Sequence, residues 1–133
     1  MENLTNLTII QQLYKNFAAG NIPAVLAAFD KDIVWIRPGE PDIPFSGKFT
    51  GLDGLGKMFA LQSASIKIKS FVPEKFCTNE NTVVVIGHDT VEVIPTCKTY
   101  NTDWVQAFTL KDGLITNVMV YIDTNAIAKA FLQ

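Results

Sequence analysis

The sequence predicts an α+β fold in which three to four helices pack on the concave side of a curved antiparallel or mixed sheet. Apolar residues recur at helical spacing in several segments before Ile66 and at every second position after it. The later strands are long, about twelve residues, and strands of that length twist strongly. Because helices are expected on one side only, the sheet should curl around them into a cone with a cavity at its open end.

Length and composition indicate a single folded domain over residues 1–133. Hydrophobic residues make up 48% and charged residues 18% of the chain, which excludes intrinsic disorder. The net charge of −2 gives no reason to expect a nucleic acid or an anionic membrane surface as a partner. No apolar run approaches the roughly 18 residues of a membrane helix, and the N-terminus has no signal-peptide pattern. Two cysteines cannot form a disulfide framework, so we expect a reducing, cytoplasmic location.

Two helices are expected at the N-terminus. Thr8 fits a capping box at the start of the first, with Asn6 as an alternative cap, and Gly20 suits the left-handed position after its end. Asn21 can cap a second, short helix whose first turn holds Pro23. The apolar face of the first helix carries Ile10, Leu13, Tyr14 and Phe17.

The middle of the chain combines a strand, a loop and a helix. A short strand is predicted over residues 33–36, and the Pro- and Gly-rich segment 37–54 is predicted to be mostly loop. Asp53 can cap a third helix. One side of that helix carries Leu55, Met58, Phe59 and Gln62.

Antiparallel strands are predicted for most of the second half. Residues 66–69 alternate between apolar and polar side chains. Two long strands follow over 82–94 and 99–110, and the turn 95–98 joins them.

The C-terminal segment predicts a hairpin followed by a helix. Asp112 and Gly113 suit a tight turn that leads into a strand over residues 115–122. Asp123 or Thr124 then caps the last helix. The inward side of that helix carries Ala126, Ile127, Ala130 and Phe131.

The second face of the predicted sheet also carries apolar residues on several strands. Left exposed, these residues would form a large apolar patch of the kind that monomeric proteins rarely show. We therefore expect a homodimer formed through the sheet face. The concave side would hold a small apolar or aromatic ligand.

Several short motifs occur along the chain in an order typical of a known family. They are FAAGN at 17–21, PFSG at 44–47, GLDG at 51–54, Trp104, DGLI at 112–115 and YIDT at 121–124. This pattern, which covers nearly the whole chain, resembles the SnoaL-like branch of the nuclear transport factor 2-like superfamily, close to the ketosteroid isomerase-related proteins. The resemblance implies a cone-shaped α+β barrel with a deep apolar pocket, usually a homodimer. Its members include polyketide cyclases, steroid isomerases, epoxide hydrolases and dehydratases, so the resemblance leaves the reaction open.

The match is incomplete at the positions that catalyse steroid isomerisation. Where those enzymes have a carboxylate base after the first strand, this chain has Ile36 and Arg37. Leu13 lies near the position of their oxyanion-hole tyrosine, and Gln106 lies near that of their aspartic acid. Gln106 also replaces a histidine that many SnoaL-like members have two residues after the strand tryptophan, and an amide is no general base near neutral pH. Asp123 does match the Tyr-x-Asp of the family, but steroid isomerase activity is not expected.

His88 and Asp123 are the candidate catalytic proton carriers. His88, the single histidine of the chain, faces either the concave cavity as a base or a dimer interface or solvent. The turn between the two long strands leaves this open, and one register places His88 on the same face as Trp104 and Gln106. Asp123 is either a general acid or base at the cavity mouth, where apolar surroundings raise a carboxyl pKa, or the N-cap of the last helix.

A further set of residues forms the predicted ligand contacts. Met119 and Tyr121 are predicted to point the same way as Trp104 and Gln106, by alternation within their strands. Arg37 either holds an anionic group of a ligand or lies in solvent. The whole set is Tyr14, Phe17, Trp35, Arg37, Met58, Trp104, Gln106, Met119 and Tyr121.

These features together predict a small dimeric protein that binds an apolar or aromatic molecule in a cone-shaped pocket. The expected chemistry is a proton transfer, as in isomerisation, cyclisation or dehydration, with neither a cofactor nor a metal. The first alternative is a non-catalytic binding or carrier protein, which the missing isomerase carboxylates favour. The second alternative is a protein-interaction module that uses the sheet face.

Overall fold

The computed structural model describes residues 2–133, and the side chains of residues 5–133. The helices in this range are α1 (Glu2–Ala18), α2 (Ile22–Ala27), α3 (Gly51–Ser65) and α4 (Thr124–Phe131). The strands are β1 (Phe29–Arg37), β2 (Gly47–Thr50), β3 (Ile66–Asn79), β4 (Thr82–Val93), β5 (Thr99–Lys111) and β6 (Leu114–Ile122). None of these helices combines the length and the apolar character that a membrane crossing requires.

The six described strands form one sheet in the order β2-β1-β6-β5-β4-β3. β1 runs parallel to β6, whereas the other neighbouring strands are antiparallel. The sheet is curved and unclosed, and α1 and α3 pack against its concave face. We call the opposite side the convex face. The predicted α+β fold, with helices against a curved mixed sheet, is therefore confirmed.

Burial alternates along the two central long strands. On β4 the odd-numbered residues from Val83 to Val93 are buried, and on β5 the even-numbered residues from Tyr100 to Leu110 are buried. The apolar side chains of this set belong to the hydrophobic core, together with residues of the helices such as Ile10. Asp89, Thr102 and Gln106 are buried polar residues on the same face. The core therefore lies between the helices and the concave face.

Two predicted helix starts are wrong. α1 begins at Glu2, so Thr8 lies inside the helix instead of capping it. α3 begins directly after Thr50, which places Asp53 in its first turn. Gly51 has a φ of +74°, a conformation that glycine adopts without strain, and it lets the chain pass from β2 into α3 without a loop. The segment predicted to be mostly loop therefore holds both β2 and this junction.

The predicted turns and caps of three other junctions are confirmed. Gly20, with a φ of +71°, follows the end of α1. Asn21 caps α2, since its Oδ1 accepts a hydrogen bond from the Ala24 N–H at 3.3 Å. Asp112 and Gly113 have φ values of 52° and 80°, as a tight hairpin turn requires.

β3 is longer than the predicted segment 66–69, because it continues to Asn79. Pro73 is tolerated within it because β3 lies at the edge of the sheet and its register shifts between Pro73 and Lys75. The extension brings Phe71 against Trp104 on the concave side.

Candidate functional site

A cavity of about 60 Å³ lies between the concave face and helices α1, α2 and α3. Its wall is mostly aromatic and aliphatic, and Arg37 and Asp89 are the charged side chains among the described lining residues. A buried water needs roughly 10–15 Å³, so the enclosed space has room for a few waters. It is smaller than the roughly 300–1,000 Å³ of sites that hold drug-sized ligands.

An open groove of about 430 Å³ adjoins the cavity. The two spaces share Phe17, Phe59, Gln62, Ile66 and Ile68 as wall residues. A ligand of more than a few atoms would therefore extend from the cavity into the groove, or would displace aromatic side chains at the boundary.

Arg37, Asp89, Tyr100 and Thr102 form a buried polar cluster on the concave face, each between 4% and 8% exposed. The Thr102 hydroxyl donates a hydrogen bond to the Asp89 carboxylate. The Tyr100 hydroxyl lies close to the Arg37 guanidinium, but the approach does not satisfy hydrogen-bond geometry, and the hydroxyl has no partner. The Arg37 Nε is also without an acceptor, and the guanidinium carbon lies 4.7 Å from the centre of the Phe45 ring.

Burial controls the ionisation of this polar cluster. It raises the pKa of Asp89, and this effect exceeds the opposing effects of the hydrogen bond from Thr102 and the charge of Arg37. Burial also raises the pKa of Tyr100 to about 12. It lowers the pKa of Arg37 from its usual value. Asp89 is therefore a carboxyl group that holds its proton more tightly than usual, which suits proton exchange with a ligand.

Tyr14 and Gln106 form a second polar contact in the cavity wall. The Tyr14 hydroxyl donates a hydrogen bond to the Gln106 Oε1 at 2.6 Å. Burial raises the pKa of Tyr14 far above its usual value, so the hydroxyl stays protonated and remains a donor. Because the Gln106 carbonyl oxygen accepts this bond, its amide nitrogen is left to donate to a ligand.

Stacked aromatic rings support one side of the cavity. Phe71 and Trp104 stack with their centroids 4.7 Å apart and their planes at 13°. Tyr14 lies against both, at 6.0 Å and 6.1 Å between centroids. Gly87 pairs with Trp104, and a Cβ at Gly87 would come within 2.4 Å of the indole. The indole can therefore lie against β4 because this position has no side chain.

The predicted ligand contacts divide into those at the cavity and those elsewhere. Trp104 shares the concave face but is only 2% exposed and stacks on Phe71. Met58 is fully buried in the core and is absent from the described cavity wall. The contacts that do line the cavity are Tyr14, Phe17, Trp35, Arg37 and Gln106.

The predicted orientation of Met119 and Tyr121 is wrong. The β5–β6 register shifts between Thr109 and Leu110, and the shift pairs Ala107 with Met119. Without that shift the hairpin turn would pair Gln106 with Met119 and place them on one face. Met119 and Tyr121 instead lie on the convex face, where Tyr121 is 56% exposed.

The two predicted proton carriers also lie outside the cavity. His88 pairs with Asp103 on the convex face, and its Nδ1 contacts a carboxylate oxygen of Glu74. The even register that would place His88 beside Trp104 is not the one formed, since Gly87 takes that position. Asp123 is exposed and caps α4, accepting a hydrogen bond from the Ala126 N–H at 3.0 Å.

Sequence reasoning missed Asp89, Tyr100 and Thr102. Alternation along β5 places Tyr100 and Thr102 on the same side as Gln106, and this signal was available from the sequence. Asp89 joins them only through the pairing of Asp89 with Thr102. That pairing depends on the register of the β4–β5 hairpin, which alternation within one strand does not reveal.

Comparison with known proteins adds three findings. A family model described as the SnoaL-like domain matches residues 10–118. None of the curated proteins matches this sequence. Among solved structures, an NTF2-like protein from Burkholderia xenovorans LB400 is 31% identical, with a TM-score of 0.89 over 98% of both chains.

Two other solved structures are similar over almost their full length. TerC, which was co-crystallised with polyporic acid, is 25% identical, with a TM-score of 0.83 over 95% of this chain and 97% of TerC. An NTF2-like protein of unknown function from Burkholderia pseudomallei K96243 is 20% identical, with a TM-score of 0.90 over 97% of this chain and 98% of that one. At 20% identity, the likeness to the Burkholderia pseudomallei protein is one of fold alone.

Proposed function

Because the chain belongs to the SnoaL-like domain family, we propose that its cavity binds a small apolar or aromatic molecule and that Asp89 exchanges a proton with it. The reaction would be a cofactor-free isomerisation, cyclisation or dehydration. The observation that carries this proposal is a buried carboxyl group of raised pKa in the wall of an aromatic cavity. His88 and Asp123 have no part in it because neither lines the cavity.

Three features of the polar cluster suit Asp89 to proton transfer. The hydrogen bond from Thr102 holds the Asp89 carboxylate in one orientation. Burial weakens the acid, so the ionised form is a stronger base than an exposed aspartate. The nearby positive charge of Arg37 stabilises the ionised form of Asp89, which is the form that can accept a proton.

The ligand class is supported by the cavity and by one relative. Tyr14, Phe17, Trp35, Phe71 and Phe108 give the cavity several flat apolar surfaces. TerC was co-crystallised with polyporic acid, and this chain is 25% identical to TerC over nearly its whole length. An organic molecule with flat apolar parts is therefore the proposed ligand.

Deuterium exchange tests the proposed proton transfer directly. Enolisable aryl ketones such as 2-tetralone and phenylacetone would be incubated with the protein in D₂O, and loss of the α-hydrogen signal would be followed by NMR. We expect the wild-type protein to accelerate exchange, and Asp89→Asn to lower the rate by about 100-fold or more, as loss of a general base does. Asp103→Asn removes an exposed carboxylate from the neighbouring strand and should leave the rate unchanged.

The outcomes separate catalysis from simple binding. Exchange by Asp89→Asn at the wild-type rate would show that Asp89 has no role in the transfer. Binding of the ketones without any acceleration would favour a non-catalytic carrier, the alternative supported by Gln106 at the position where many family members have a histidine.

We also propose that the protein forms a homodimer through the convex face. Ile86 pairs with Val105, and Val105 pairs with Tyr121, so apolar side chains form a row across β4, β5 and β6. Ile86 is 41% and Tyr121 is 56% exposed. A continuous apolar surface of this kind is typical of a protein interface. A module that binds a different protein would use the same face, and a measurement of oligomeric state distinguishes the two.

A further inference from the structure

The guanidinium of Arg37 is a buried positive charge in the cavity wall. The residue is 8% exposed, and its Nε has no hydrogen-bond acceptor. Within residues 5–133, no carboxylate lies within 4.0 Å of its guanidinium nitrogens. A buried guanidinium loses its hydration and is normally compensated by a paired anion. The buried guanidinium of Arg37 therefore lacks the anionic partner that such a charge normally has.

Tyr100 provides a second, independent donor at the same place. It is 4% exposed and lines the cavity, and its hydroxyl has no hydrogen-bond partner. An unpaired buried hydroxyl is unfavourable by about 1–3 kcal/mol, so native structures normally satisfy it. Because the hydroxyl lies close to the Arg37 guanidinium, an acceptor placed between the two would satisfy both groups.

The neighbouring carboxyl group does not remove this unpaired charge. Asp89 is the other charged residue among the described residues of the cavity wall, and it already accepts a hydrogen bond from Thr102. Asp89 lies beyond ion-pair distance of Arg37, although the charge of each group affects the pKa of the other. The guanidinium therefore has no ion-pair partner among the described residues of the cavity wall.

We infer that Arg37 and Tyr100 bind the anionic end of the ligand, whose class is therefore a flat apolar molecule with one carboxylate. Two guanidinium N–H groups and one hydroxyl match the oxygens of a carboxylate. Phe45 covers one face of the guanidinium, which leaves the N–H edges as the groups available to an anion. The apolar part of the ligand would lie among the aromatic residues between Tyr14 and Trp35.

This inference rests on the proposed function only in taking the cavity as the ligand site. Its test uses benzoate and 2-naphthoate, each compared with its uncharged amide, benzamide or 2-naphthamide. Binding would be followed by tryptophan fluorescence and by the indole N–H signals of Trp35 and Trp104, since both indoles lie on the concave side. We expect the wild-type protein to bind each carboxylate at least tenfold more tightly than its amide.

Three variants identify the source of that preference. Arg37→Met should lower carboxylate affinity at least tenfold and leave amide affinity unchanged. Tyr100→Phe retains the ring in the core. It should weaken carboxylate binding severalfold and leave the affinity for the amides unchanged. Lys48→Met removes an exposed cation from β2, beside the end of β1, and should change neither affinity.

The possible failures differ for the two proposals. Equal binding of carboxylate and amide, or a preference that survives both Arg37→Met and Tyr100→Phe, would overturn the anionic site and leave the ligand cavity intact. Failure of all four probes to perturb either indole signal would overturn the ligand cavity and the anionic site together.

Discussion

The Tyr14 hydroxyl donates a hydrogen bond to the Gln106 Oε1 at 2.6 Å and thereby joins α1 to β5 across the cavity wall. The two residues are 92 positions apart in the chain. Tyr14 also contacts Phe71, Trp104 and Phe108 through its ring. The phenol therefore has two separable roles, one carried by its hydroxyl and one by its ring.

Tyr14→Phe should separate these roles. The ring contacts remain, but the Gln106 carbonyl oxygen loses its donor in a buried site, so we expect a loss of about 1–3 kcal/mol in the free energy of unfolding. Urea denaturation followed by fluorescence would measure it. Tyr121→Phe is the matched control, since it keeps the apolar ring on the convex face and removes only the hydroxyl of a side chain that is 56% exposed in the single chain, so its effect should be close to zero. Equal losses in the two variants would contradict a specific role for the hydrogen bond.

Gly87→Ala should destabilise the protein through overpacking. The new Cβ would lie 2.4 Å from both the Trp104 indole and the Val72 carbonyl oxygen, and the latter belongs to the backbone. Forcing extra atoms into a packed site costs about 1–3 kcal/mol, and the Trp104 fluorescence should change with it.

Gly56→Ala is the control for this substitution. Gly56 lies inside α3 with nothing within 4 Å of the added Cβ, so the same change should stabilise the helix by about 0.5–1 kcal/mol. Thermal denaturation of both variants would check the opposite signs. A wild-type melting temperature for Gly87→Ala would show that both the indole and the Val72 carbonyl group move away without cost.

Asp89 should make stability depend on pH in a defined direction. Its folded-state pKa is raised by burial above an unfolded value of about 3.9, so the folded state keeps a proton that the unfolded chain has lost. The stabilising contribution is therefore complete below the unfolded pKa and declines as pH rises through the folded pKa.

A pH series would measure this contribution of Asp89. The free energy of unfolding of the wild type, relative to Asp89→Asn, should fall as the pH rises above about 4, since the amide does not titrate. Urea denaturation at several pH values gives the difference. Parallel pH profiles for the two proteins would mean that burial does not perturb this carboxyl group.

The sequence allowed prediction of the elements but only part of the site. Helical spacing fixes a face directly, which is why Tyr14 and Phe17 were correctly expected to face the sheet. The face of a strand depends instead on its register with a neighbour. In the β4–β5 connection, Cys97 has a φ of 61°, and no Gly or Asn in that turn indicates a left-handed residue.

A difference of one residue in strand register decides which candidate residues face the cavity. Pairing of Gly87 with Trp104 turns Asp89 into the cavity and His88 away from it. The register shift in the β5–β6 hairpin likewise turns Met119 and Tyr121 outward. Both orientations follow from the pairing between neighbouring strands, which the pattern along a single strand does not encode.

The convex face provides the last prediction. If it joins two copies of the chain, Ile86→Glu should convert a dimer into a monomer, because a charge would be buried opposite apolar side chains. Leu61→Glu is the matched control: Leu61 is 41% exposed, as Ile86 is, but it lies on α3, away from the sheet. Sedimentation velocity over a range of concentrations would measure the masses. Wild-type protein that stays monomeric at high concentration would contradict the dimer, and dissociation by Leu61→Glu alone would place the interface on the helices instead.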